Sequence, residues 1–303
     1  MTSQVTGSSE PAGMRNYTGT RKNEEESETV NLSAGRYSKS NTLQRRFNIL
    51  VLDVYQERFI SKPRATHQVL DVGCGTGDFT RDVILPRCLP CRRIVGVDSS
   101  GEMIEHARRY SASEKLNFRL LDICDDVTDF LEEFGRFDRV YSFFCLHWAL
   151  DLGSAVKNVA RLMTQNGECL LVFYASHEAV PVWRALANME RWKKYSDVLL
   201  KFVPKSQDMG KKEQIHFLSR HLEKAGLVPT VLEAVRSVTY AGSTEKETLD
   251  TQMCVLPIAQ LVPHEQKAQL LADVTEEVRR VHDPHADKER YRMYIVMASK
   301  YRC

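Results

Sequence analysis

The sequence predicts an α/β protein whose mostly parallel sheet carries helices on both faces. Three observations lead there. Between residues 68 and 176, short apolar runs alternate with stretches of helical periodicity, the pattern of right-handed βαβ units. The turn after the first run lies in "LDVGCGTGDFT" (70–80), glycine-rich as a tight strand-to-helix junction demands. Finally, "RYRMYIVMAS" (290–299) alternates apolar and polar residues like a closing strand.

Residues 1–35 are polar, poor in large apolar side chains and carry "KNEEESE", too little apolar surface to offset the entropy of ordering. A disordered tail is therefore expected, followed by a single domain over 36–303. From Tyr37 the pattern turns helical. "HQVLDVG" reads as a strand, 78–84 as a helix stopped by Pro86, "RIVGVD" as a strand and 101–110 as a helix. "NFRLLDI" and "FDRVYSFFCL" read as strands, 152–164 as a helix, and "ECLLVFYA" as a strand after the Asn166-Gly167 turn. The segment 177–290 changes character. Helical periodicity covers 180–195 and 211–225, the latter ended by Gly226; "TVLEAVRSVTY" reads as a strand, and helices fit 245–256 and 263–282.

Length and charge bound the function. A chain of 303 residues suits one large domain, since single cores grow to about 250 residues. Lys and Arg number 42 against 40 Asp and Glu, spread without a basic stripe, which argues against nucleic acid or an anionic membrane as partner. No run approaches the roughly 18 apolar residues of a membrane span. The first 20 residues lack an apolar stretch and Glu24 to Glu26 oppose a transit peptide, so a cytoplasmic protein is expected. The eight cysteines sit mostly in apolar segments, as small hydrophobes do. Cys88 and Cys91 form a lone CxxC with no second pair at metal-site spacing, so no metal is expected.

Gly73, Gly75 and Gly77 stand at the carboxyl end of the first strand, where open α/β sheets bind ligands, and Asp71 precedes them by two residues. A dinucleotide fingerprint puts its third glycine three residues after the second; here it follows after two. This spacing resembles motif I of the class I methyltransferases and implies S-adenosylmethionine as cofactor. The next strand, "IVGVDSS", ends in Asp98, whose carboxylate can accept both ribose hydroxyls. Ser99 with Glu102 forms a capping box for the following helix. At "LLDICDD" the resemblance sets Asp122 and the backbone of Ile123 against the adenine edge, with Met103 on the adenine face.

Two further stretches concern the acceptor. "SFFCLHWALD" (142–151) ends an apolar strand in His147 and Trp148, two rings with N–H donors. Tyr37, Asn41 and Gln44 follow i, i+4, i+7, one face of a helix. Together, "YSKSNTLQ", "DVGCGTG", "SFFCLHWALD" and "GECLLVFYASH" resemble the juvenile hormone acid O-methyltransferases of arthropods over roughly 37–300, closely in the first half and loosely after about 195. The resemblance implies a Rossmann-like fold with a seven-stranded sheet, a cofactor-binding core over 68–176 and helical acceptor-side elements over 177–290. It further implies that the Gln44 amide and the Trp148 indole hold a substrate carboxylate, that Tyr37 and Asn41 border the cofactor, and that His147 orients the acceptor. An ionised carboxylate needs no general base, so positioning carries the reaction. Phe143, Phe144, Phe173, Tyr174, Trp183 and Trp192 are candidate walls for an isoprenoid chain. A methyltransferase for a small di- or tricarboxylic acid, or an inactive cofactor- or partner-binding module, remains the alternative.

Overall fold

In the computed structural model, residues 34–35, 41–237, 244–281 and 291–300 are described. Tyr37 lies outside them, as does nearly all of the expected tail. The tail's last two residues do not: Ala34 is buried and its N–H donates to Glu102 Oε1 at 2.8 Å. No helix among the described residues is long and apolar enough to cross a membrane, and no cluster of three His, Cys, Asp or Glu among them could hold a metal ion.

Seven strands form one sheet in the order β3-β2-β1-β4-β5-β7-β6. They are β1 Gln68–Val72, β2 Arg93–Asp98, β3 Leu116–Leu120, β4 Phe137–Phe143, β5 Met163–Tyr174, β6 Leu227–Arg236 and β7 Arg292–Lys300. The first five run parallel, and β7 inserts antiparallel between β5 and β6. All five residues of β1 are buried, as a central strand covered on both faces must be. The register of β4 on β5 jumps from Phe137↔Met163 to Arg139↔Glu168, so the expected Asn166-Gly167 turn is a bulge inside β5.

Helices cover both faces: α1 Thr42–Tyr55, α2 over 78–88, α3 Gly101–Tyr110, α4 Thr128–Phe134, α5 Leu152–Leu162 and α8 Lys211–Lys224. Shorter α6 Val180–Asn188 and α7 Ser196–Lys201 join α9 Glu245–Cys254 and α10 Lys267–Val281 in a separate apolar cluster around Trp183 and Trp192. Pro86 does not stop α2. Thr80–Ile84 form a π-helical turn in which Leu85 N–H reaches back to Thr80 O, and Pro86 sits in the final turn Leu85–Cys88. The cap of α3 is Ser100 rather than Ser99: its hydroxyl accepts from Met103 N–H at 3.4 Å, and Glu102 turns instead to Ala34. Nor does α1 include Asn41, which is its N-cap residue without a side-chain bond to the helix.

Candidate active site

The glycine loop is built by backbone conformation. Gly73, Gly75 and Gly77 have φ of 76°, 54° and 73°, the left-handed region that a side chain disfavours. A Cβ on Gly73 would sit 2.3 Å from Cys145 Cβ, and one on Gly77 would sit 2.7 Å from the Phe118 ring. Gly77 thus serves the packing of α2 against the sheet, whereas Gly73 and Gly75 face a cavity of about 320 Å³. Opposite the loop, Asp98 anchors the cavity floor: Gly75 N–H donates to its Oδ2 and Ser100 N–H to its Oδ1, both at 2.9 Å. Each oxygen keeps a lone pair for a further donor. Burial raises the Asp98 pKa, and those two N–H bonds oppose the rise.

The same cavity is lined by Ser99 and Met103 from the start of α3 and by Asp122 and Ile123 after β3. Asp122 Oδ1 accepts from Cys124 N–H at 2.8 Å, a local turn that holds the carboxylate at the cavity wall. Gln44 reaches in from α1 and Trp148 from the short 3₁₀ turn Leu146–Trp148. Phe143 and Phe144 complete this end; Phe144 has φ 52°, a strained conformation for a side-chain-bearing residue, at the point where β4 stops.

A second chamber of about 40 Å³ shares Gln44, Gly73 and Phe143 with the first and opens between α1 and the glycine loop. Asn41 and Asp71 line it. Burial raises the Asp71 carboxyl pKa to about 7, against the hydroxyl of Thr80 donating at 2.6 Å. Sequence reasoning missed Arg45, Asn48 and Asp78 in this wall. Arg45 pairs with Asp78 at 2.9 Å and fastens α1 to α2, a long-range contact that no local spacing announces.

His147 stands apart. A 3₁₀ turn advances about 120° per residue, so neighbouring side chains point different ways. Trp148 enters the large cavity, while His147 lines a separate chamber of about 60 Å³ that Phe173 and Tyr174 also face. Its Nδ1 is buried without a partner among the described residues, and burial, then His177, drives its pKa well below 6.5. Trp183 and Trp192 line none of the three chambers described. Trp192 donates to Asp273 Oδ2 at 2.7 Å within the helical cluster, and Trp183 backs the Trp148 indole at 5.8 Å.

The residues present suit an adenosyl cofactor: a bare backbone loop, a carboxylate with free lone pairs opposite it, and a second acid at the next strand end. Comparison with known proteins agrees. A family model described as "Methyltransferase domain" matches residues 69–167. Juvenile hormone acid O-methyltransferase of Drosophila melanogaster is 30% identical over 245 residues, 79% of this chain and 80% of that protein. The Bombyx mori protein of the same name is 33% identical over 178 residues, 58% of this chain and 62% of its own length. Among solved structures, the [4+2]-cyclase SpnF superposes with TM-score 0.53 at 18% identity, covering 83% of this chain and 81% of that one. YcgJ of Bacillus subtilis gives 0.51 at 16%, covering 84% and 99%. These two show the fold alone, and the cyclase illustrates that the fold does not dictate the reaction. The cofactor is S-adenosylmethionine, and by the extent of its match to the Drosophila protein the chain belongs to the juvenile hormone acid O-methyltransferase family, an O-methyltransferase on a Rossmann-like sheet.

Proposed function

We propose that the acceptor is the carboxylate of an isoprenoid acid, such as farnesoic acid or juvenile hormone acid, and that the methyl group passes to it directly, in line. The observation that carries this reading is the make-up of the acceptor end. Gln44 and Trp148 bring two uncharged N–H donors to the lining of one cavity. No Lys, Arg or His lines that cavity among the described residues, while Asp98, Asp122, Asp125 and Asp151 do. A polycarboxylate would find no cation there to offset its extra charge, whereas a single carboxylate on an apolar chain meets two donors and the rings of Phe143 and Phe144.

Bound in the cavity, S-adenosylmethionine supplies a sulfonium-activated methyl group. Gln44 and Trp148 then fix the acceptor carboxylate, already ionised at pH 7, so that no side chain need remove a proton. Such positioning is worth about 7–11 kcal/mol of barrier at best. Neutral donors also avoid holding the anion too tightly before its charge is lost in the ester. Tyr37 and His147 enter as an edge of the cofactor site and a support behind Trp148. A cytosolic setting is consistent with seven free cysteines among the described residues.

The test is methyl transfer from labelled S-adenosylmethionine to farnesoic acid and to trans-aconitate, side by side. Methyl ester from the isoprenoid acid alone is the expected result. Transfer to the small polyacid alone overturns the reading of the acceptor end.

A further inference from the structure

One buried amide is left unexplained by packing. The inward face of α5 is apolar, with Ala155, Val156, Val159 and Leu162 in the core, yet Asn158 shares that burial at 6% exposure. A carboxamide there is costly unless bonded. Its Nδ2 donates to Ile123 O at 2.9 Å and to Asp125 O at 2.7 Å, while its Oδ1 accepts from Arg161 at 3.4 Å. Two carbonyl acceptors can be served only by the NH₂ end, which fixes the orientation of the amide. Arg161 also reaches Asp126 Oδ1 at 3.3 Å and Thr128 Oγ1 at 3.1 Å, so the loop 123–128 is held from α5 at several points.

We propose that Asn158 is a positioning residue for purine recognition: by tying down the carbonyls on either side of Cys124, it sets the angle at which Asp122 and the Ile123 N–H meet the adenine edge. The inference rests on the reading that this loop faces adenine. Asn158 lies behind the cavity wall and touches no ligand; it acts through the loop. Without its two bonds the loop keeps its residues but loses its register, and hydrogen-bond selection of a 6-amino purine suffers before the chemical step does.

The experiment compares KM and kcat for S-adenosylmethionine and for its 6-oxopurine counterpart, S-inosylmethionine, with one fixed acceptor. In the wild type the amino form should be strongly preferred. Asn158→Ala should raise KM for S-adenosylmethionine about tenfold, the scale of two lost hydrogen bonds, with kcat within about twofold. KM for the 6-oxo form should move far less, so the preference collapses; Asn158→Ser, which keeps one donor, should fall between. Should the alanine variant fail to fold, the serine variant and the equal-sized Asn158→Asp carry the same comparison. A folded variant that raises both KM values by one factor, or neither, overturns the proposal. Asp122→Asn separates the two levels. If it leaves the preference intact, the adenine reading fails; if it abolishes the preference while the Asn158 variants retain it, the positioning role alone fails.

Discussion

The two ends of the large cavity are constructed by different means. At the cofactor end the backbone does the shaping: three glycines at positive φ, with Gly75 N–H and Ser100 N–H both converging on Asp98. At the end proposed for the acceptor, side chains from unconnected elements do it, Gln44 from α1 and Trp148 from a 3₁₀ turn, and Val255 from just beyond α9 lines the same cavity. The first arrangement tolerates almost no change, since a backbone path cannot be repaired by a neighbouring rotamer. The second can be altered one side chain at a time, which lets one cofactor serve different acceptors.

That contrast yields experiments of decreasing effect. Gly75→Val would break the cofactor end outright, through both the positive φ and a side chain placed in the cavity. Calorimetric titration with S-adenosylhomocysteine should show no binding, and wild-type affinity in a folded variant would refute the placement of the site. Trp148→Phe should leave that affinity unchanged while lowering kcat/KM about tenfold to a hundredfold, as expected for losing one donor to a charged group. Equal turnover would return Trp148 to the role of core filler.

The smallest effects are read by pH, at two buried groups that do not line the large cavity. Burial drives the His177 pKa down from 6.5 to about 3. The unfolded chain takes up a proton that the native state refuses, so this contribution to stability is complete above about pH 6.5 and is lost as pH falls towards 3. At pH 5 the loss is about 2 kcal/mol, and His177→Gln should remove that part of the difference between urea midpoints at pH 7 and pH 5. Asp71 works in the opposite sense. With its folded pKa raised from 3.8 to about 7, its contribution is whole below about 3.8 and lost as pH rises through 7. Asp71→Asn should therefore flatten the fall in stability between about pH 4 and 7 and leave the profile above pH 7 unchanged.

The same difference decides what could be read from the sequence. All seven strands were legible because each is an apolar run bounded by turn residues, and the glycine loop was legible because only glycine satisfies its φ angles. At the start of α3 the sequence pattern pointed to Ser99, yet a serine at 100 caps as well, and the extended backbone of Ser100, φ −88° and ψ 117°, makes it the cap. Adjacency in the sequence says nothing about the 3₁₀ rotation that sends His147 and Trp148 to different chambers. Composition does not separate a pocket wall from a core at Trp183 and Trp192, whose size suits both and which are buried in the helical cluster. Arg45, Asn48 and Asn158 were invisible for a further reason: each matters through a partner at least 30 residues away or through a chamber that exists only once α1 has docked.

The place of β7 has a consequence for the life of the chain before it is an enzyme. It fills the gap between β5 and β6, pairing with both along nearly its whole length. During synthesis, β6 therefore emerges with no neighbour to bind, and β5 waits with one bare edge until residues 292–300 leave the ribosome. The cofactor loop, finished more than two hundred residues earlier, belongs to a sheet that cannot yet close. Nascent chains in this interval expose an apolar strand edge, the condition in which chaperone binding and aggregation compete with folding.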